Sequence, residues 1–212
     1  MLKDTARIEK IIKILRAGYP NPKTTLKYKT PLQLLVATIL SAQCTDERVN
    51  KLAPFLFAKY PNIEDFADAK QEELEKDIYS TGFYRNKAKN IIGASKIILE
   101  NFKGKLPDNM EDLITLPGVA RKTANVILSS VFGKADGITV DTHVKRLSER
   151  LGLSKEKNAD KIEKDLMRII PKKGWLEISY FLIDHGRAIC KARKPLCVQC
   201  QINHLCPAAE KV

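Results

Sequence analysis

Apolar residues recur along this chain every three to four positions, the spacing of amphipathic helices. Ile8, Ile11, Ile12 and Leu15 share one helical face, and Gly18, Pro20 and Pro22 stop that helix. Pro31 opens a second helix carrying Leu34, Leu35, Ile39 and Leu40. A third runs from about Asp46, with Val49, Leu52, Ala53 and Leu56 inward. Short amphipathic pieces follow at 63–69 and 71–79, and Thr81-Gly82-Phe83 reads as a turn. A long helix from about Tyr84 carries Ala88, Ile91, Ile92, Ile98 and Leu99. After Pro107 and Asp108 a short helix spans 111–115, and a longer one runs from about Ala120 to Phe132. Residues 133–137 link it to a helix beginning after Asp141 and ending near Gly152. Helices near 158–169 and 174–188 lead into a cysteine-rich loop. No segment alternates with the period of a strand, so the predicted class is all-α.

Charge narrows the function. The chain has 212 residues and a formal net charge of +12, from 37 Lys and Arg against 25 Asp and Glu. That length supports one large domain or two small ones with real cores. The balance favours a polyanionic partner, nucleic acid before membrane. No apolar run approaches the ~18 residues a spanning helix needs. The N-terminal residues enter a helical pattern directly and carry no secretory signal, which predicts a reducing compartment.

In that compartment the cysteines read as ligands. Cys190, Cys197, Cys200 and Cys206 are spaced Cys-x6-Cys-x2-Cys-x5-Cys. Four thiolates in so short a span can hold structural zinc or a [4Fe–4S] cluster. Structural zinc usually pairs two short knuckles, and here there is one Cys-x2-Cys, which favours the cluster. Lys191, Arg193 and Lys194 fall between the first two cysteines. A basic loop pinned at both ends by a metal suits phosphate contact and makes the cluster structural rather than redox-catalytic. Cys44, outside the group, reads as a packed thiol. His143, His185 and His204 share no metal-ligand spacing, and Trp175 and Tyr180 read as packing residues on their helix.

A second signal is Leu116-Pro117-Gly118-Val119-Ala120-Arg121-Lys122-Thr123-Ala124. A Pro-Gly turn feeding a helix N-terminus exposes backbone N–H groups that bind phosphate without reading sequence. Lys122 falls on the first turn of that helix beside Arg121. The positive helix end and the neighbouring cation both disfavour its ammonium form and so favour a nucleophilic amine. Asp141, in Val140-Asp141-Thr142-His143, sits where a helix N-cap is expected. Backbone N–H donors there would hold it as an anion, suited to stabilising a developing sugar cation.

The hairpin segment 118–124, Val140-Asp141-Thr142-His143, Ser41-Ala42-Gln43 and the four cysteines together resemble the endonuclease III family, iron–sulfur DNA glycosylases of the helix-hairpin-helix superfamily. The resemblance covers about residues 7–207. It implies two helical domains with DNA bound in and near the cleft between them. Residues 22–134 would form a six-helix domain with the hairpin, and residues 1–21 with 135–212 the cluster domain. It implies Lys122 as the Schiff-base lysine and Asp141 as the essential carboxylate. Gln43 would enter the space left by a flipped nucleotide, and Phe83 would wedge the duplex or, alternatively, pack as a buried turn aromatic. Gly118, Ala120 and Arg121 would contact DNA through the hairpin. The family often reads Gly-Val-Gly where this chain has Gly118-Val119-Ala120, which puts the hairpin geometry in question.

The implied activity is excision of oxidised pyrimidines from double-stranded DNA with strand cleavage at the abasic site. The expected partner is DNA carrying damaged pyrimidines or abasic sites, met by a monomer in the nucleoid of a bacterial or archaeal cytoplasm. Adenine glycosylases of the superfamily share the cysteines but generally lack the lysine and carry a further C-terminal domain. A mismatch-specific thymine glycosylase would also tend to lack the lysine. A non-catalytic DNA-binding module with a structural metal needs neither Lys122 nor Asp141.

Overall fold

A computed structural model describes residues 2–209, with side chains from residue 5 onward. Among the described residues every regular element is helical. The chain divides into two compact units, residues 24–133 and residues 1–23 with 134–212.

Residues 24–133 are built around α2 (Pro31–Ser41). Thr30 caps it by accepting from the Gln33 amide at 3.2 Å, and Pro31 at the first position loses no helical hydrogen bond. Residues 34–40 of α2 are all buried, and each large apolar side chain so buried contributes about 1.5–3 kcal/mol. Such a helix must be wrapped on all sides. α3 (Asp46–Lys59), α6 (Tyr84–Phe102) and α8 (Arg121–Phe132) pack against it, with α4 (Ile63–Ala67) and α5 (Gln71–Asp77) on α6 and α7 (Met110–Leu113) on α8, all sharing one core. Asn62 and Asp65 form a capping box that starts α4, and Phe66 stacks on Tyr60 at 5.0 Å. Lys103, in the left-handed region, ends α6 while the Gly104 amide reaches back to the Ile98 carbonyl.

The other unit joins α1 (Leu2–Gly18) to α9 (Thr142–Arg150), α10 (Ala159–Ile169), α11 (Trp175–Ala188) and the cysteine loop. Ile8, Ile11, Ile12 and Leu15 of α1 pack in one core with Leu147, Leu166, Phe181 and Leu182. Arg7 closes the circuit, donating to the Leu151 and Leu205 carbonyls at 2.9 and 3.0 Å. The indole of Trp175 donates to the Ile170 carbonyl, so it serves packing. On α11, Gly186 lets α9 approach closely: a Cβ there would lie 3.0 Å from both His143 Nδ1 and Arg146 Nη2.

Candidate functional site

The hairpin begins where α7 ends. The Val119 amide donates to the Leu116 carbonyl at 3.0 Å, closing a turn with Pro117 and Gly118 at its centre. Gly118 has φ +78°, as the third position of a type II turn requires. Buried Leu116 and Val119 anchor the turn in the core. Ala120 is the N-cap of α8, with φ −82° and ψ 168°. That extended conformation is open to any residue, so alanine in place of the family's glycine strains nothing. Ala120 supplies no side-chain acceptor to the first turn of α8, which suits a helix end that takes up a bound anion. Arg121 and Lys122 are both exposed on that first turn.

Lys122 belongs to the unit 24–133 and Asp141 to the other. Asp141 caps α9, its Oδ1 accepting from the Val144 amide at 2.8 Å. The bond satisfies a donor the helix leaves open and fixes the carboxylate at the helix end. His143 follows it, its Nδ1 3.1 Å from Arg146 Nη2. Burial pushes the His143 imidazole below its ordinary range; Asp141 opposes this, while Arg146 and Arg187 add to it.

Gln43 and Phe83 share an unusual backbone. Ala42 has φ −57° and ψ 114°, Gln43 has φ 53°, and the Cys44 amide donates to the Ser41 carbonyl at 3.0 Å. This is again a type II turn, with glutamine where glycine is favoured. Phe83, at φ 48°, follows Gly82 at φ 68°. Such conformations cost non-glycine residues roughly 1–3 kcal/mol and persist where surrounding structure over-determines them. Phe83 is 63% exposed, so the alternative of a buried turn aromatic does not hold.

The four cysteines line one cavity together with Leu147, Leu151, Ile189, Leu196 and Ile202. It encloses about 420 Å³ of non-protein space, part of it open to solvent. Among the described residues no three His, Cys, Asp or Glu side chains converge as ligands of a single ion. Thiolates ringing a shared space fit a polynuclear cluster, which places its metals between the sulfurs. Burial, and the other cysteines of the group, push the Cys200 and Cys206 thiols upward. A bound cationic metal reverses that preference and holds thiolates.

Several supporting groups carry no sequence signature. Arg150 donates to Cys190 Sγ at 3.3 Å and to the Lys191 and Ala192 carbonyls at 2.8 and 3.1 Å. Arg146 holds the Cys190 and Gly186 carbonyls. These two arginines, one turn apart on α9, fix the base of the loop, while Lys191, Arg193 and Lys194 are exposed. His185 is buried, with Nε2 3.4 Å from Cys200 Sγ and Nδ1 3.0 Å from the Tyr19 hydroxyl. A thiolate only accepts, so Nε2 must carry the proton and Tyr19 must donate to Nδ1. His185, which the sequence left without a role, therefore supports a cluster ligand. The one hint to it was a histidine five residues before Cys190.

Both the sequence and the fold have known relatives. Residues 36–172 match the HhH-GPD superfamily of base excision DNA repair proteins. Residues 190–206 match the iron–sulfur binding domain of endonuclease III. Endonuclease III of Synechocystis sp. is 57% identical over 99% of this chain and 96% of its own. The chain belongs to the endonuclease III family. Two solved endonuclease III structures, a non-covalent DNA complex and a trapped covalent DNA intermediate, each superpose with TM-score 0.91. Each is 41% identical, over 98% of this chain and 97% of its own. Family membership brings a [4Fe–4S] cluster to the four cysteines. No described helix is long and apolar enough to cross a membrane.

Proposed function

We propose that Lys122 is the nucleophile, and Asp141 the anionic partner, of a base-excision reaction on duplex DNA. The protein is a bifunctional DNA glycosylase and AP lyase for oxidised pyrimidines. Base chemistry of this kind requires the nucleotide to leave the stack. The Lys122 amine attacks C1′ of the extruded sugar and the C1′–N bond to the damaged base breaks, the base leaving with the electron pair. The aminal that remains opens to an imine between Nζ and C1′. Loss of a C2′ proton then expels the 3′ phosphate, cutting the strand 3′ to the lesion. Asp141, held by the Val144 amide, stabilises the positive charge that develops on the sugar.

The hairpin turn and the first turn of α8 grip the phosphate backbone through amides, with Gly118, Ala120 and Arg121 at the contact. Lys191, Arg193 and Lys194 add cations from the cluster loop. Gln43 fills the space the nucleotide vacates, and Phe83 wedges the neighbouring step. In this reading residues 24–133 are the hairpin-bearing domain and residues 1–23 with 134–212 the cluster domain. The cluster, when bound, supplies a rigid cross-link among its four cysteines. The substrate is duplex DNA with damaged pyrimidines or abasic sites, met by a monomer in the nucleoid of a bacterial cytoplasm.

One observation carries the reading: an exposed lysine on the first turn of a helix entered through a glycine turn at φ +78°. Borohydride present during turnover should trap a covalent enzyme–DNA adduct. Lys122→Gln should abolish trapping and leave lesion binding, since the hairpin amides remain. Full trapping by that variant would assign the nucleophile to another amine.

A further inference from the structure

Lys87 takes no part in the reaction just described, yet it is among the most deeply placed charges of its unit. It lies on the first turn of α6 and is 4% exposed. Its Nζ donates to the Leu40 carbonyl at 2.8 Å and to the Thr81 carbonyl at 2.9 Å. Leu40 lies in the last turn of α2, three residues before Gln43. Thr81 ends a 3₁₀ turn, two residues before Phe83. Both carbonyls belong to helix ends, where the backbone lacks helical donors and the dipole is negative. One ammonium thus joins the two short turns that carry the two inserting side chains.

The rest of the region agrees. Burial pulls the Lys87 amine below the ordinary lysine range, and Cys44, the residue after Gln43, is near enough to oppose that pull. Holding a cation there costs desolvation, a cost an apolar side chain would avoid. Arg48, from the first turn of α3 just after the Gln43 turn, donates to the Ser80 carbonyl at 3.0 Å, a tie from that helix to the 3₁₀ turn before Phe83. Gln43 and Phe83 are two of the four non-glycine residues with positive φ among the described residues. Strained backbone needs an external restraint, and Lys87 supplies one to both turns at once.

We propose that Lys87 is a positioning residue that holds the Gln43 and Phe83 turns in fixed register, so that both side chains enter the duplex together. The proposal rests on the reading of those residues as the inserting pair. Nucleotide extrusion requires simultaneous filling and wedging, so loosening the register lowers extrusion more than it lowers chemistry on a sugar already free of the stack. Misplacement on the scale of 1 Å costs roughly 100-fold in such reactions.

The test uses the full-length, cluster-loaded protein with two substrates: a duplex bearing one abasic site opposite 2-aminopurine, and the same abasic strand single-stranded. Lys87→Met should lose roughly 10- to 100-fold more strand cleavage on the duplex than on the single strand. The 2-aminopurine fluorescence rise that reports extrusion should fall in parallel. Lys87→Arg should restore most of both. In a Gln43→Ala, Phe83→Ala background, Lys87→Met should add nothing. Equal losses on the two substrates would make Lys87 merely structural and overturn the proposal. If Lys87→Met does not fold, Lys87→Gln should show the duplex-specific defect, and duplex extrusion at the parent level by folded Lys87→Gln would overturn it. A defective Gln43→Ala, Phe83→Ala variant beside a normal Lys87→Met variant overturns the Lys87 proposal alone. Normal extrusion by the Gln43→Ala, Phe83→Ala variant overturns the inserting-pair reading and the proposal with it.

Discussion

Replacing Gly118 by alanine is a single-atom perturbation whose cost can be assembled from the structure. At φ +78° an L-residue pays about 1–2 kcal/mol for the left-handed backbone. The new Cβ would also lie 3.0 Å from Asn90 Cβ and Nδ2 and 3.2 Å from Cγ. The Asn90 amide can rotate away, but its Cβ is fixed to α6, so the turn or the helix must yield. Overpacking of this kind adds about 1–3 kcal/mol. Alanine also stiffens the unfolded chain, returning about 0.4–1 kcal/mol. The net destabilisation is about 1–5 kcal/mol, or roughly 4–20 °C in Tm for a unit of this size. Thermal unfolding by circular dichroism measures it. Asn90→Ala removes the amide and leaves Cβ, so the Asn90→Ala, Gly118→Ala variant should regain only part of the loss. A shifted turn re-aims the amides after it, so affinity should fall alike for damaged and undamaged duplex. The log–log salt slope should shrink by roughly 0.9 for each phosphate the protein no longer holds. A Gly118→Ala protein with Tm within about 2 °C of the parent and unchanged salt slope would refute the idea that this turn needs its left-handed residue.

Other outcomes follow from the same structure. Asp141→Asn keeps the acceptor for the Val144 amide and removes the charge, so the fold should stay near normal and base excision should slow. Abasic-site nicking, measured side by side, should suffer less, because no base must leave; equal losses would assign Asp141 to activating the lysine. The Lys191→Ala, Arg193→Ala, Lys194→Ala variant should bind duplex with a salt slope smaller by roughly 0.9 per phosphate released, and an unchanged slope would leave the loop merely solvated. Replacing Cys197 by serine should bleach the visible absorption of the purified protein and harm folding or DNA binding more than Cys44→Ser does. His143 has a depressed folded pKa, so the unfolded chain takes up its proton first as pH falls below about 6.5. Stability should therefore drop between that pH and the lower folded pKa, and His143→Gln should flatten this part of a denaturation-versus-pH curve.

The residues that could be read from sequence are those whose role is local. Pro31 and the Pro117-Gly118 turn each announce themselves within a few positions, because capping and turn chemistry act over one helical turn. The cysteine ligands were legible for the same reason. What stayed hidden acts across the chain. Lys87 reads as one cation among Arg85, Lys87 and Lys89, and only its 47-residue reach to Leu40 sets it apart. Arg146 and Arg150 look like a solvated helix face until the loop 40 residues later closes on them. The left-handed Gln43 and Phe83 break local propensity, so no local rule finds them. The substitution at Ala120 was readable as a departure, but its harmlessness was not, since that depends on φ.

The unit that carries the cysteines is assembled from segments on either side of residues 24–133, and this sets an order of events on the ribosome. The partners of Arg7 include Leu205, which is 198 residues further on. At roughly 5–20 residues per second, α1 is synthesised some 10–40 s before that partner exists. A lone helix of its 17 residues is marginal in water, so Ile8, Ile11, Ile12 and Leu15 have no core to enter during that interval. Residues 24–133, by contrast, emerge as an uninterrupted stretch and can fold while the remainder is still being made. The nascent chain therefore carries a finished domain between an unfinished N-terminal helix and a growing tail. Iron and sulfide can be delivered to the full ligand set only after Cys206 has been made, when residues 24–133 are already complete.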